Sequence, residues 1–166
     1  ISLSLKGKLL SNLDIEDDKF KHSELLTTSI RDILNQNKYN VNDLSAVAIG
    51  TGPGSFTGLR IGFSVAKGLC YPHKISLIGI PSLKILANSV NDDNKFIIPM
   101  IRDKGEFFYT TIYNNKLNVM IEPKVEKISY GFLDKYSDEN YSILTNTNES
   151  FEYIKSFNNS NLELRR

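Results

Sequence analysis

The stretch Ala48–Cys70, AIGTGPGSFTGLRIGFSVAKGLC, decides how this chain is read. It begins within a nearly unbroken apolar run, Leu44–Gly50 (LSAVAIG), whose length and composition predict a central strand covered on both faces. A Gly-Pro-rich loop follows. Gly52 and Gly54 open backbone angles closed to other residues and let a ligand or another chain come near, while Pro53 stiffens the turn. Ser55 or Thr57 can cap the helix that the pattern predicts over residues 57–70. A helix N-terminus reached from a strand through glycines is an anion-binding geometry, so Gly52, Gly54, Ser55, Thr57 and Gly58 make a nucleotide-loop-like candidate. Neither familiar phosphate pattern is met. No Gly-Lys-Ser/Thr is present, and G-x-G-x-x-G begun at Gly50 meets Ser55 where glycine is required. The plainer alternative for the same residues is a tight strand-to-helix turn without a ligand.

The helix after the loop carries a second signal. Gly58, Gly62 and Ala66 stand four apart and form a stripe of small residues, along which another backbone can come close. Ile61, Val65 and Leu69 form an apolar row, and Leu59, Phe63 and Cys70 lie on another side. A helix apolar on more than one side is buried between neighbours or also serves an interface. An upstream helix is expected from His22 to about Asn37, with Leu26, Ile30, Ile33, Leu34 and Asn37 on one side. The two helices together suggest a docking surface, for which the candidate residues are His22, Leu26, Ile30, Ile33, Ile61, Gly62, Val65, Ala66 and Leu69.

Around this centre, alternation predicts strands at residues 1–5 and 9–15, and the polar stretch 16–21 reads as a loop. Another strand is expected over 74–80, then a short helix capped by Ser82 and running to about Val90. Asn91–Asn94 is polar and marks the expected domain boundary, giving units 1–91 and 92–166. Beyond it the pattern predicts strands at 96–101, 106–113, 117–121 and 141–145 and a helix at 150–157, with an undefined stretch in between. Both halves open with antiparallel strands that lead into parallel ones. One further strand ahead of Ile1 would make the two openings alike, so the order suggests a duplicated α/β unit.

Composition excludes several classes. The chain has 166 residues, 40% hydrophobic and 23% charged, with a formal net charge of +1. The lysines are interleaved with acids and form no basic stripe, so any link to RNA is expected to run through a partner. A lone cysteine, Cys70, cannot form an internal disulfide, which fits a reducing cytosol, and on a helix it reads as a small apolar residue. No apolar run approaches the roughly 20 residues of a membrane span, and the first residues do not read as a signal peptide. The sequence starts without Met inside a strand pattern, so the expectation is a chain shortened at its start. His22 and His73 are solitary, with no H-x-x-x-H or H-E-x-x-H, so no metal site and no metallopeptidase chemistry is expected. Ser55 is not set in G-x-S-x-G and is assigned to capping or backbone support.

These residues carry a resemblance. Gly52–Gly62 matches the G-P-G-S-[FY]-T-G-[LV]-R-I-G string of the TsaB (YeaZ) family, His22, Ser23, Glu24 and Leu26 match its H-S-E-x-L helix start, and Ala66–Leu69 matches its A-K-G-L. The likeness covers residues 1–110 well and weakens beyond. It implies an α/β fold of the actin/Hsp70/sugar-kinase (ASKHA) type with two related units, the first lacking its opening strand and the second incomplete. It also implies a non-catalytic, cytoplasmic subunit without a cofactor, which docks on a TsaD-type catalytic subunit through helices matching 22–37 and 57–70. The wider assembly would include a TsaE-type ATPase and would act on adenosine-37 of tRNA, reached only through the complex. Self-association of the same face when alone is a second expectation.

Departures from the family pattern are visible. The opening strand ending in Asp-Thr-Ser is absent, the turn before the aromatic strand reads Ile101-Arg102-Asp103-Lys104-Gly105-Glu106, and the late strand leads into Thr145-Asn146-Thr147-Asn148. The chain also ends ahead of the family's helical tail. The competing readings are a nucleotide-binding ATPase or kinase of the same fold, which would need phosphate turns from both units, and a metallopeptidase-like enzyme.

Overall fold

A computed structural model describes residues 1–14, 22–90, 96–129, 132, 141–156 and 163–165. The expected polar loop 16–21 and the boundary at 91–94 lie outside the described residues. The chain divides into two compact units, Ile1–Ile49 with Ser55–Gly79, and Gly50–Gly54 with Ile80–Arg166.

The first unit opens with strands β1 (Ser2–Leu5) and β2 (Lys8–Asn12), paired antiparallel with Ser2 opposite Asn12 and Leu5 opposite Lys8. Lys6 and Gly7 both hold positive φ, 49° and 79°, as a two-residue hairpin turn of right-handed twist requires. Helix α1 (His22–Gln36) stops where Lys38 turns left-handed and the Tyr39 N–H donates to the Leu34 carbonyl at 3.0 Å. A single 3-10 turn at Val41–Asp43 leads to β3 (Ala46–Gly50), helix α2 (Phe56–His73) and β4 (Ser76–Ile80). Among the described residues, strand β3 pairs only with β4. Among the described residues, Leu3, Ile33 and Leu34 form a buried cluster, with Leu13, Ile30, Tyr39, Val41 and Leu44 packed around them, and Ala66 and Cys70 of α2 are buried as well.

The expectation for Leu44–Gly50 needs correction. No residue of β3 is fully buried, and Ala46 and Ala48 are exposed. The apolar run marks a strand suited to a sheet interior, but among the described residues β3 has a neighbour on one side only.

The second unit begins with α3 (Ser82–Ala87), whose cap position is Pro81 and not Ser82 as expected. Then come β5 (Phe96–Arg102), β6 (Phe107–Asn114), β7 (Val119–Lys127), β8 (Tyr141–Thr145), α4 (Asn148–Lys155) and β9 (Glu163–Arg165). Their sheet has the order β7-β6-β5-β8-β9. The pairs β5–β6 and β6–β7 are antiparallel, and β5–β8 and β8–β9 are parallel. Alternation along β5 sends Ile98 and Met100 into a core with Phe108, Ile143 and Ile154 of α4, and Ile97 and Ile101 into a second core with Leu83 and Ala87 of α3. Strand β5 is therefore covered on both faces, and each such large apolar side chain contributes about 1.5–3 kcal/mol of burial.

Candidate functional site

The glycine-rich string is divided between the two units, with Gly50–Gly54 counted in the second and Ser55 onward in the first. Within the second unit, Gly52 sits at φ 95°, a left-handed region that glycine adopts without strain. Its carbonyl accepts from the Ser82 N–H at 2.8 Å, and the Gly52–Pro53 peptide is cis. Gly54 is exposed, and a Cβ added there would meet nothing within 4 Å. Within the first unit, Ser55 is the N-cap of α2, and its Oγ accepts from the Gly58 N–H at 3.2 Å. The hydroxyl thus satisfies one of the free amides of the first turn. Thr57 and Gly58 are exposed beside it.

The apolar helix residues sort by direction. Ile33 and Ala66 are buried. A Cβ added to Gly62 would meet Ile49 of β3 at 3.2 Å, so this member of the small-residue stripe faces the strand of its own unit. Leu26, Ile30, Ile61, Val65 and Leu69 are half-buried. Ile30 and Leu69, with Thr27, Leu34, Tyr39 and Val41, line a shallow, largely apolar hollow of about 230 Å³ between α1, the 3-10 turn and α2. His22 starts α1 in the described backbone.

Periodicity alone did not single out two further aromatic side chains on α2. Phe56 is 73% exposed with the Arg60 guanidinium over its ring at 5.2 Å, and Tyr71 is 89% exposed. His73 Nδ1 is hydrogen-bonded to Asn42 Oδ1, and Cys70 is buried. Among the described residues no group of three or more His, Cys, Asp or Glu could hold a metal ion. Among them, too, no helix is long and apolar enough to cross a membrane, which says nothing of a β-barrel.

Strand order, helix placement and the capped glycine turn define the class of protein. Two solved structures share the fold: one described as an uncharacterized protein with similarity to peptidase YEAZ, the other as YeaZ, both from Pseudomonas aeruginosa. They superpose with TM-scores of 0.78 and 0.77 at 19% and 20% identity, over 99% of this chain and 76% of theirs. The family model described as "TsaD: tRNA N6-adenosine threonylcarbamoyltransferase" matches residues 16–142, and the chain belongs to that family. Curated relatives named "tRNA threonylcarbamoyladenosine biosynthesis protein TsaB" are similar to it. That of Buchnera aphidicola subsp. Acyrthosiphon pisum (strain APS) is 29% identical over 68% of this chain and 52% of its own length. Those of Bacillus subtilis (strain 168) and Escherichia coli (strain K12) are 32% and 37% identical over 64% and 40% of this chain, and 46% and 29% of their own lengths. The chain thus spans about half the length, or less, of these curated relatives.

Proposed function

We propose that this chain is a TsaB-type subunit with no chemistry of its own, which binds and activates a TsaD-type catalytic subunit in the threonylcarbamoylation of adenosine-37 of tRNA. The observation that carries this reading is the α1–α2 surface. Ile30 and Leu69 line an apolar hollow that the first unit leaves partly uncovered, and a partner's apolar side chain seated there would complete its burial. The similarity to proteins named TsaB supports the pathway. In this reading Leu26, Ile30, Ile61, Val65 and Leu69 contact the partner, His22 stands at the edge of the surface, and Ile33, Gly62 and Ala66 hold the helices from within.

The same proposal includes an ASKHA-type fold with related units meeting near residue 91, a cytoplasmic location, a TsaE-type ATPase in the wider assembly, and tRNA contacted only through the complex. It also includes self-association through the same helices when no partner is present. Gly52, Gly54, Ser55, Thr57 and Gly58 then act as a structural turn, and Ser55 spends its hydroxyl on the Gly58 amide.

Size-exclusion chromatography with light scattering, on the chain mixed with TsaD from the same source, tests this. A one-to-one complex is expected, with the Ile30→Asp/Leu69→Asp double variant weakening it by about 2 kcal/mol or more, roughly thirtyfold, as removal of a central apolar anchor does. A folded chain that leaves TsaD eluting alone would overturn the reading. ATP hydrolysis by the isolated chain would favour the kinase or ATPase alternative.

A further inference from the structure

Helix α2 carries a second exposed stripe beside its apolar row. Phe56, Arg60, Lys67 and Tyr71 lie within roughly 60° of one another around the helix axis. All four are exposed, Phe56 at 73% and Tyr71 at 89%, and half-buried Phe63 lies along the same line. The Arg60 guanidinium rests over the Phe56 ring at 5.2 Å. The ion pairs among the described residues include neither Arg60 nor Lys67. Exposed Ser64 and Gly68 connect this stripe with half-buried Ile61, Val65 and Leu69 on the same helix.

Nothing in the helix's own stability calls for these residues. From Phe56 to His73 the helix includes no Asp or Glu, although a helix N-terminus favours acids in its first turn. Two large aromatic side chains in water forgo the burial that would stabilise the fold. Exposed aromatics and an arginine on one line are instead the residue types that protein interfaces concentrate. An RNA face is a poorer fit. Single-strand binders track phosphates along a positively charged groove, whereas this stripe lies on a helix surface and holds only Arg60 and Lys67 as cations.

We propose that the Phe56–Arg60–Lys67–Tyr71 stripe is the electropositive part of the docking face and seats an acidic surface of the TsaD-type subunit, an inference that rests on the docking reading above. The occupant presents carboxylates to Arg60 and Lys67 and apolar carbon to the rings of Phe56 and Tyr71. The two cations stand about 10 Å apart along the helix axis, a separation that two carboxylates two turns apart on a partner helix would match. The cations steer the encounter and fix its register, and the rings hold the complex once it has formed. The same charges discriminate against self-association stripe to stripe, where cation would meet cation.

Association and dissociation rates of the full chain with TsaD from the same source test it. They are measured between about 0.01 M and about 1 M NaCl, where the screening length falls from about 30 Å to about 3 Å. The parent's association rate should fall about tenfold across that range. Arg60→Glu/Lys67→Glu should associate about tenfold more slowly than the parent in low salt, speed up as salt is added, and dissociate at nearly the parent's rate. Arg60→Gln/Lys67→Gln should lie between the two with a flatter salt slope, and it carries the test if the charge-reversed variant loses helix by circular dichroism. Phe56→Ala/Tyr71→Ala should keep the parent's salt slope and dissociate about tenfold faster. A complex whose association ignores salt, or charge variants that match the parent's rate and slope, would overturn the proposal and leave the docking reading standing. A parent chain that forms no complex with TsaD at any salt would overturn both. Binding of a single-stranded RNA oligomer by the chain alone, lost in Arg60→Glu/Lys67→Glu, would overturn the proposal in favour of an RNA face.

Discussion

Ser55 and Gly62 show how much one position in the string can mean. Ser55 ends the glycine-rich loop and caps α2 through the Gly58 amide. Ser55→Ala should cost about 1 kcal/mol in urea unfolding, Ser55→Gly only a few tenths, and Ser55→Asp should hold the cap. A loss well above 2 kcal/mol for Ser55→Ala would mean that the hydroxyl does more than cap. A cap at this helix start was legible, with Ser55 and Thr57 both candidates, and the structure gives it to Ser55. The direction of Gly62 was not, since a period of 3.6 tells which residues share a face and not what that face meets. With Ile49 Cδ1 at 3.2 Å from an added Cβ, Gly62→Ala sets a helix-propensity gain of about 1 kcal/mol against a slight shift of a side-chain tip. Its stability should stay within about 0.5 kcal/mol of the parent, while Gly62→Leu overpacks the contact and should cost about 1–3 kcal/mol by thermal or denaturant unfolding. Gly62→Leu therefore perturbs the fold of the first unit and is not a clean probe of docking.

At the scale of elements, strand identity was largely legible and strand extent less so. The strands expected at 96–101 and 106–113 are β5 and β6, and LSAVAIG announced β3. Strand β7 continues through Pro123 to Lys127, beyond the expected end at 121, because β6 offers it a partner along that length and, among the described residues, its outer edge is free of the ladder. At the end of this ladder the Ile128 N–H donates to the Glu106 carbonyl at 2.8 Å, and Lys127 Nζ lies 2.9 Å from Glu106 Oε2. The hydrogen bond and charge of Lys127 hold the Glu106 carboxyl below its ordinary 4.5, and Glu106 in turn raises Lys127 above 10.5. Glu106 therefore adds stability that is complete above pH 4.5 and is lost as pH falls through its lowered value. Lys127 adds stability that is complete below pH 10.5 and is lost as pH rises through its raised value. Thermal melts of Glu106→Gln should lose part of the parent's acid-limb slope below pH 4.5 and match the parent's slope near neutrality. An unchanged acid limb would show that the pair does not form in solution.

Across the whole molecule, the two units differ in how their sheets are closed. Among the described residues, the second has a five-stranded sheet with a core on each face, whereas the first has two strand pairs and a buried cluster of Leu3, Ile33 and Leu34. Amides of β5 and β8 should consequently exchange most slowly, and those of β1 and β3 faster by an order of magnitude or more, since local opening follows the apolar surface that holds an element. Equal protection across both units would mean that the first gains stability from contacts beyond these strands. The chain's pattern alone was enough for the class of fold: period-2 runs, period-3.6 runs and glycine turns act locally, and each is written in a few neighbouring residues. Pairing is not local. Which strand lies beside β3, which side of α2 meets Ile49, and that β5 joins β6 to β8 in the second sheet are matters of residues far apart in the chain. Those were decided by tertiary structure, because an apolar run records the wish to be buried and not the neighbour that buries it.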